Sequence, residues 1–481
     1  MPPTHPPPIL KGKLMFFDEV AWDKCDDQLA TWKAALFNQD AMKKITDLMI
    51  HHHQSSPAAK LLPPQKGSFN MVIRLQFADN TSVIIRFPIP GYSVLPEEKV
   101  LREVSVMRFL EQHTDIRVPH VLHHGLKNDI SPGLGPFITM EHIDNNADLV
   151  DALNTPGLPD SDRPVLDPNI NEHRLRSVYN EMAGLLLQVA KHSFSRIGCI
   201  TNKTNEGLSD EWEVTHRPLS INMNELVQVG GVQPRALPQE PFETGTGYFL
   251  ALAELHMTHL SSQRNDAVED ADDCRSKYIA RCLFRKLARE GRLCRYPDGP
   301  FKLFCDDLRP ANVLADSDNG YKIAGVIDWE FAYAAPAEFV YSPPCWLLLE
   351  RPEYWERGLD DWERVFEPRL EVFLQELRDR EEVDIQRGVL GEGNRLSGYL
   401  RESWDNGGFW VSYAARRSWA FDIIYWARID RMFFGEGSLE DRIALLSVEE
   451  RDGMEAFVRR KLAEKEEGGL KRQSSPVIVH K

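Results

Sequence analysis

The sequence predicts an α+β chain in two unequal parts: a small strand-rich part over 18–143, then a larger, mostly helical part over 144–465. Three observations carry this. Two apolar runs, MVIRLQF and TSVIIRF, flank Asp79-Asn80, and a third, FITMEHI, lies at 137–143; these read as strands joined by turns. Further on, apolar residues recur at helical spacing, most clearly over Leu175–His192, where Leu175, Val178, Met182, Leu185, Leu186 and Val189 share one face. Among the later helices lies a stretch of different character, Phe304–Phe331, reading FCDDLRPANVLADSDNGYKIAGVIDWEF.

Composition narrows the class. The 481 residues are 42% apolar and 27% charged, enough for a core of two domains or two lobes. A net charge of −16 argues against a nucleic-acid surface, which needs clustered Lys and Arg. The same balance is compatible with a cationic small-molecule partner, although a solvated acidic surface explains it as well. The seven cysteines are scattered, with no CxxC, which points to a reducing compartment and a cytoplasmic location. No stretch has the apolar core of a signal peptide or the length of a membrane span, so no membrane partner is expected.

Taken in order, 1–17 is Pro-rich and reads as disordered. Residues 18–50 read as helical, with Trp22, Leu29, Trp32 and Leu36 among charges, and His51–His53 as a loop, since no acid or thiolate shell adjoins them. Gly67-Ser68-Phe69-Asn70 is a turn into the first long strand, and Arg86 lies on the second. Pro96–His113 is a helix with Val100, Val104 and Met107 at i, i+4, i+7 and Glu103 among them. Thr155–Asn169 is a surface loop, Ser193–Val214 a short hairpin, and Arg217–Gly231 loop-like. Phe242–Asn265, Asp270–Gly291 and Trp362–Val383 read as helices. The aromatic-rich Trp404–Phe434 reads as core; Glu402, Asp405 and Asp422 nearby are candidates for holding a cationic group. The tail over 466–481 is expected to be flexible.

The stretch over 304–331 carries the chemistry. Asp307 and Asn312 are five residues apart. Val313–Leu314, a polar turn over Asp316–Gly320 and the run Tyr321–Ile327 form a hairpin signature, which folds Asp328 back towards Asn312 and Asp307. Three oxygen-bearing side chains at a hairpin mouth suit a hard divalent cation and a general base.

This arrangement resembles the kinase-like phosphotransferases, and within them the aminoglycoside phosphotransferase family, especially its fungal members. That family's loop reads H-G-D-x-x-x-x-N, followed by I-D-W-E or I-D-x-G; here Asp307, Asn312 and Ile327-Asp328-Trp329-Glu330 match, while Cys305 and Asp306 replace the His and Gly. The resemblance implies a bilobal protein-kinase-like fold, with a small β-rich N-lobe and a larger helical C-lobe. It implies ATP or GTP as phosphoryl donor, Mg²⁺ as cofactor, and a small-molecule hydroxyl as acceptor. By position, Asp307 is the expected catalytic base, and Asn312 and Asp328 the metal ligands. Gly67 and Ser68 are expected over the phosphates, Arg86 on them with Glu103 as its partner, and the backbone of Glu141 and Ile143 at the adenine. Arg309 and Glu330 are possible supporting residues. The single glycine near the phosphates, Arg86 in place of Lys, and Cys305-Asp306 leave a second reading open, a non-catalytic nucleotide-binding or scaffold protein. A protein-hydroxyl kinase is disfavoured because no HRD, DFG or APE triplet occurs.

Overall fold

Alternation along the two long strands sets the architecture of the computed structural model, which describes residues 15–53, 56–159, 161–203 and 211–474. The strands are β1 (Ala58–Leu61), β2 (Gln65–Lys66), β3 (Asn70–Phe77), β4 (Ser82–Pro88), β5 (Val121–Gly125) and β6 (Phe137–Glu141). They form an antiparallel six-stranded sheet in the order β1-β3-β4-β6-β5, with β2 also on β3. Met71, Ile73, Leu75 and Phe77 of β3 and Val83, Ile85 and Phe87 of β4 point to one face. There they bury against Leu29, Trp32, Leu36, Ile45 and Met49 of the helices Glu19–Leu36 and Gln39–His53. Because side chains alternate, Arg86 is turned to the opposite face, towards the Pro96–His113 helix.

The chain departs from expectation in five places. The N-terminal helical region is two helices, broken at Phe37-Asn38, where the Asn38 side chain accepts from Asp40 N–H (2.9 Å). His51–His53 close the second helix rather than forming a loop; His52 stacks on His123 and His53 meets Thr81 Oγ1 (2.8 Å). Of the arm expected to be disordered, 1–14 lies outside the described residues, but Met15 is 3% exposed and Phe17 packs on Trp22 and Trp419. The helix Val448–Ser474 continues through 466–474 of the expected tail, and the rest lies outside the described residues. Arg217–Gly231, read as a loop because of its Pro and Gly, contains the helix Ile221–Gln228, capped by Ser220 (3.2 Å to Met223 N). Its asparagines are tertiary links: Asn224 bonds Tyr92 O (2.8 Å) and Val94 N (3.0 Å), and Asn222 accepts from Ser418 N (3.0 Å).

Beyond the sheet the chain is mainly helical, and short strands position the 304–331 stretch. β7 (Ala147–Asp148) and β8 (Ser193–Phe194) are edge strands, and β9 (Cys199–Asn202) pairs with β10 (Trp212–His216). β11 (Phe301–Phe304) leads into the 305–312 loop; β12 (Val313–Asp316) and β13 (Lys322–Val326) form the hairpin; β14 (Tyr333–Pro336) leads away. β11 lies between β8 and β14, so both ends of the stretch are fastened to one sheet. Among the described residues, no helix is long and apolar enough to cross a membrane.

The helical core contains Arg281 and Asp422, 0% and 4% exposed at their side chains, joined by bonds of 2.5 and 3.0 Å. His256 and His259 are buried beside them. Burial, then the Arg281 charge, lowers both imidazoles, His259 to about 3. The unfolded chain therefore binds more protons than the folded one between about pH 6.5 and 3, and stability falls as pH drops through that window. The slope is up to about 1.4 kcal/mol per pH unit for each histidine. Unfolding midpoints measured across this range are expected to show the decline, and His259→Asn is expected to flatten it.

Candidate active site

β11 delivers the chain to Cys305-Asp306-Asp307, and the turn Pro310–Asn312 brings Asn312 back over Asp307. Asn312 Nδ2 donates to the Asp307 carbonyl (2.8 Å) and to its carboxylate (2.9 Å). Both partners are oxygens, which fixes the amide orientation and leaves Asn312 Oδ1 uncommitted. Arg309 Nε donates to the other Asp307 oxygen (2.7 Å). Ile327 N–H donates to the Asn312 carbonyl (2.9 Å), so Asp328 follows directly on a bond to Asn312. Asp328 sits at φ +58°, a left-handed conformation that Asp tolerates better than most residues. The structure thus brings Asp307, Asn312 and Asp328 together.

Two cation–carboxylate links tie this loop to the strand-rich part. Arg86 Nη1 donates to Asp328 (2.7 Å), and its Nη2 forms an ion pair with Glu103. One turn earlier on the same helix face, Lys99 pairs with Glu330 and donates to Asn70 Oδ1 (2.6 Å), while Asn70 Nδ2 donates to Glu330 (2.8 Å). Lys99, Glu103 and Glu330 are 2%, 1% and 4% exposed. Lys99 and Asn70 were missed in the sequence. The available signal was that Lys99 is four residues before Glu103, a second charge on one face of the helix.

The charges shape one another. Burial opposes ionisation of Glu330, but Lys99 and then Arg86 outweigh it and hold the carboxyl below its ordinary range. Asp328 goes the other way: burial in the recess, with Glu330, Glu103 and Asp307 nearby, raises its carboxyl despite Arg86. Arg86 stays charged against burial because Glu103, Asp328 and Glu330 surround it.

A divalent cation fits this donor set. Asp328 keeps 34% of its side chain exposed, has one oxygen beyond the Arg86 bond, and stands where crowded carboxylates favour an added positive charge. Asn312 Oδ1 is the second donor. Among the described residues no cluster of three or more His, Cys, Asp or Glu could hold a metal. The site therefore suits an ion that takes few protein oxygens and fills its shell with phosphate and water, as Mg²⁺ does. Glu330, committed to Lys99 and Asn70, is withdrawn from that shell.

The remaining expected residues are more dispersed in role. Gly67 N–H donates to Asn70 O (2.8 Å), closing the turn rather than standing free, and Ser68 is exposed. Glu141 N–H is committed to His120 O (3.0 Å) and its side chain is exposed. Ile143 is 3% exposed and lies on the β12–β13 hairpin at Gly325, where an added Cβ would stand 2.4 Å from Ile143 Cδ1 and 3.1 Å from Arg117 O. Gly325→Ala is expected to cost about 1–3 kcal/mol through this overpacking, read as a lower unfolding midpoint. Asp306, where the family usually has Gly, is paired with Arg416 and lies 3.6 Å from Arg417. Burial raises the thiol of Cys305 and keeps it protonated. The acidic candidates for a cationic group are all engaged: Glu402 with Arg295 (3.0 Å), Asp405 with Arg401 (3.3 Å), and Asp422 with Arg281.

No family model matches the sequence, and no curated protein does. Solved structures do resemble the fold. One is APH(2")-IIia in complex with GDP and kanamycin, with TM-score 0.36, 12% identity, and 87% of this chain and 98% of that chain covered. Another is macrolide 2'-phosphotransferase type I, with TM-score 0.37, 12% identity, and 88% and 97% covered. A third is the apoenzyme of macrolide 2'-phosphotransferase MphH from Brachybacterium faecium, with TM-score 0.36, 14% identity, and 82% and 99% covered. The two macrolide enzymes are phosphotransferases by name. The likeness is remote, and the functional reading rests on the residues of the site.

Proposed function

We propose that the chain is a two-lobed, kinase-like phosphotransferase that moves the γ-phosphoryl group of ATP or GTP to a hydroxyl of a small-molecule acceptor, with Mg²⁺. The observation that supports it most is the Asn312 linkage: its amide is bonded to Asp307, its carbonyl to the residue before Asp328, and its Oδ1 is left for a cation. Asp307 orients the acceptor hydroxyl and takes its proton as the new P–O bond forms. Arg309, bonded to the other Asp307 oxygen, keeps the carboxylate aimed. Asn312 and Asp328 would hold the cation, whose positive charge would offset that developing on the phosphates. Arg86, set by Glu103, positions Asp328 and presents positive charge to the phosphates. Little covalent work falls to the protein, so positioning and electrostatics carry the rate.

The second reading, a protein that binds nucleotide without transferring phosphate, is favoured by the Gly67 N–H being spent on its own turn. A transfer assay separates the two. With γ-labelled ATP and a panel of hydroxyl compounds, label is expected to reach an acceptor only when Mg²⁺ is present. Binding of nucleotide with no transfer to any acceptor and no slow hydrolysis would leave the second reading.

A further inference from the structure

A buried latch of three side chains joins the turn at 67–70 to the segment that carries Asp328. Asn70 Oδ1 accepts from Lys99 Nζ (2.6 Å), and Asn70 Nδ2 donates to Glu330 Oε2 (2.8 Å). An ammonium on one side and a carboxylate on the other fix which way the amide points. Lys99 closes the triangle by pairing with the same Glu330 oxygen. The three residues come from the start of β3, the Pro96–His113 helix and the position two after Asp328, and all are buried.

The contact continues at the neighbouring residues. Phe69 meets Phe331 edge-on, with ring centroids 5.5 Å apart, and Lys99 Nζ lies 5.8 Å from the centre of the Phe331 ring. Asp328 and Phe331 both hold left-handed backbone, at φ +58° and +62°, which is costly for a side chain as large as Phe. They bracket Trp329 and Glu330, so the bend after Asp328 is set by what grips those two side chains. Trp329 is buried and donates to Val326 O (3.2 Å); Glu330 is gripped by Lys99 and Asn70. On the other side of the latch, Gly67 N–H donates to Asn70 O and Ile89 N–H to Phe69 O, both at 2.8 Å, so the turn is tied to Asn70 and to the strand beside it.

Charges and amides buried together cost desolvation, and apolar groups of similar size would serve stability as well. What the satisfied network adds is one fixed arrangement of three segments distant in sequence. On the nucleotide-binding part of the reading above, we infer that Asn70 and Lys99 are positioning residues: through Glu330 they set the turn over the phosphates against the cation held at Asp328, so that the turn is in place before the nucleotide arrives. A turn ordered beforehand loses less entropy on binding. This also accounts for a turn with one glycine whose own N–H is spent inside it: the turn is built to stay in place rather than to mould itself to the ligand.

The test exchanges the acid and the amide. Asn70→Asp sets a second carboxylate against Glu330, and Glu330→Gln takes from Lys99 its paired carboxylate. The double substitution keeps one acid, one amide and the lysine, with the first two in each other's places. Affinity for Mg·ATP is measured by titration calorimetry well below the melting temperature, and stability by urea unfolding. Each single change is expected to weaken Mg·ATP about tenfold or more, and the double to recover most of that loss. Asn70→Leu, which leaves the Lys99–Glu330 pair intact, is expected to weaken Mg·ATP by a similar factor with the far-UV spectrum retained; it decides the matter should a single charge change prevent folding. Variants that lose stability but bind Mg·ATP as wild type does would make the latch structural only, which overturns the inference and leaves the nucleotide reading standing. A double substitution as weak as Glu330→Gln, beside an Asn70→Asp that binds normally, would also overturn it, since Glu330 would then itself serve the cation. Wild type that binds no Mg·ATP removes the nucleotide reading, and the inference with it.

Discussion

Asp307→Asn is expected to lower phosphoryl transfer by about two to four orders of magnitude while Mg·ATP still binds and stabilises the protein. The substitution keeps an oxygen for Asn312 Nδ2, which lies 2.9 Å from the present carboxylate, so the loop keeps its shape. On the proposed mechanism, what is lost is the basic oxygen that would receive the hydroxyl proton. Steady-state rates with an accepted substrate, alongside nucleotide melting shifts, separate the two effects. An unchanged rate would mean that Asp307 is not the base.

Glu103→Gln is expected to cost about 3–5 kcal/mol of stability and to impair transfer as well. Glu103 is 1% exposed and Arg86 6%, so the substitution leaves a buried guanidinium short of countercharge. Arg86 then relies on Asp328, drawing on the carboxylate that we propose for the cation. Denaturant midpoints measure the first effect. The double substitution Arg86→Met with Glu103→Leu makes the distinction: it is expected to recover much of the stability, because no charge is stranded, but none of the transfer. A loss below about 1 kcal/mol in Glu103→Gln would place the pair in water, where such contacts contribute little.

Much of this site was legible in the sequence because local rules govern it. The spacing of Asp307 and Asn312, the turn at Asp316–Gly320 and the apolar run into Asp328 are short-range features, and hairpin geometry follows from them. Arg86 and Glu103 were expected as partners from the resemblance to kinase-like chains, and the structure pairs them across strand and helix. The Lys99, Asn70 and Glu330 set was not, since it joins three segments, Asn70 and Glu330 being 260 residues apart, and no periodicity records that. The helix over Ile221–Gln228 was hidden because Pro218 and Gly230-Gly231 bracket so short a segment, and its fastening by Asn222 and Asn224 to Ser418, Tyr92 and Val94 appears only in three dimensions. Glu402, Asp405 and Asp422 were candidates by charge alone, and their arginine partners appear only in three dimensions.

The most direct measurement is the melting temperature with ATP, with Mg²⁺, and with both, for wild type and Asp328→Asn. A ligand that binds only the folded state stabilises it by about 2.7 kcal/mol at a hundredfold excess over its Kd. Wild type is expected to shift upward with Mg·ATP well beyond the sum of the separate additions, and Asp328→Asn to lose that excess while keeping its far-UV spectrum. An equal shift in the two proteins, or none with any nucleotide at millimolar concentration, would contradict the assignment of Asp328 to a metal–nucleotide site.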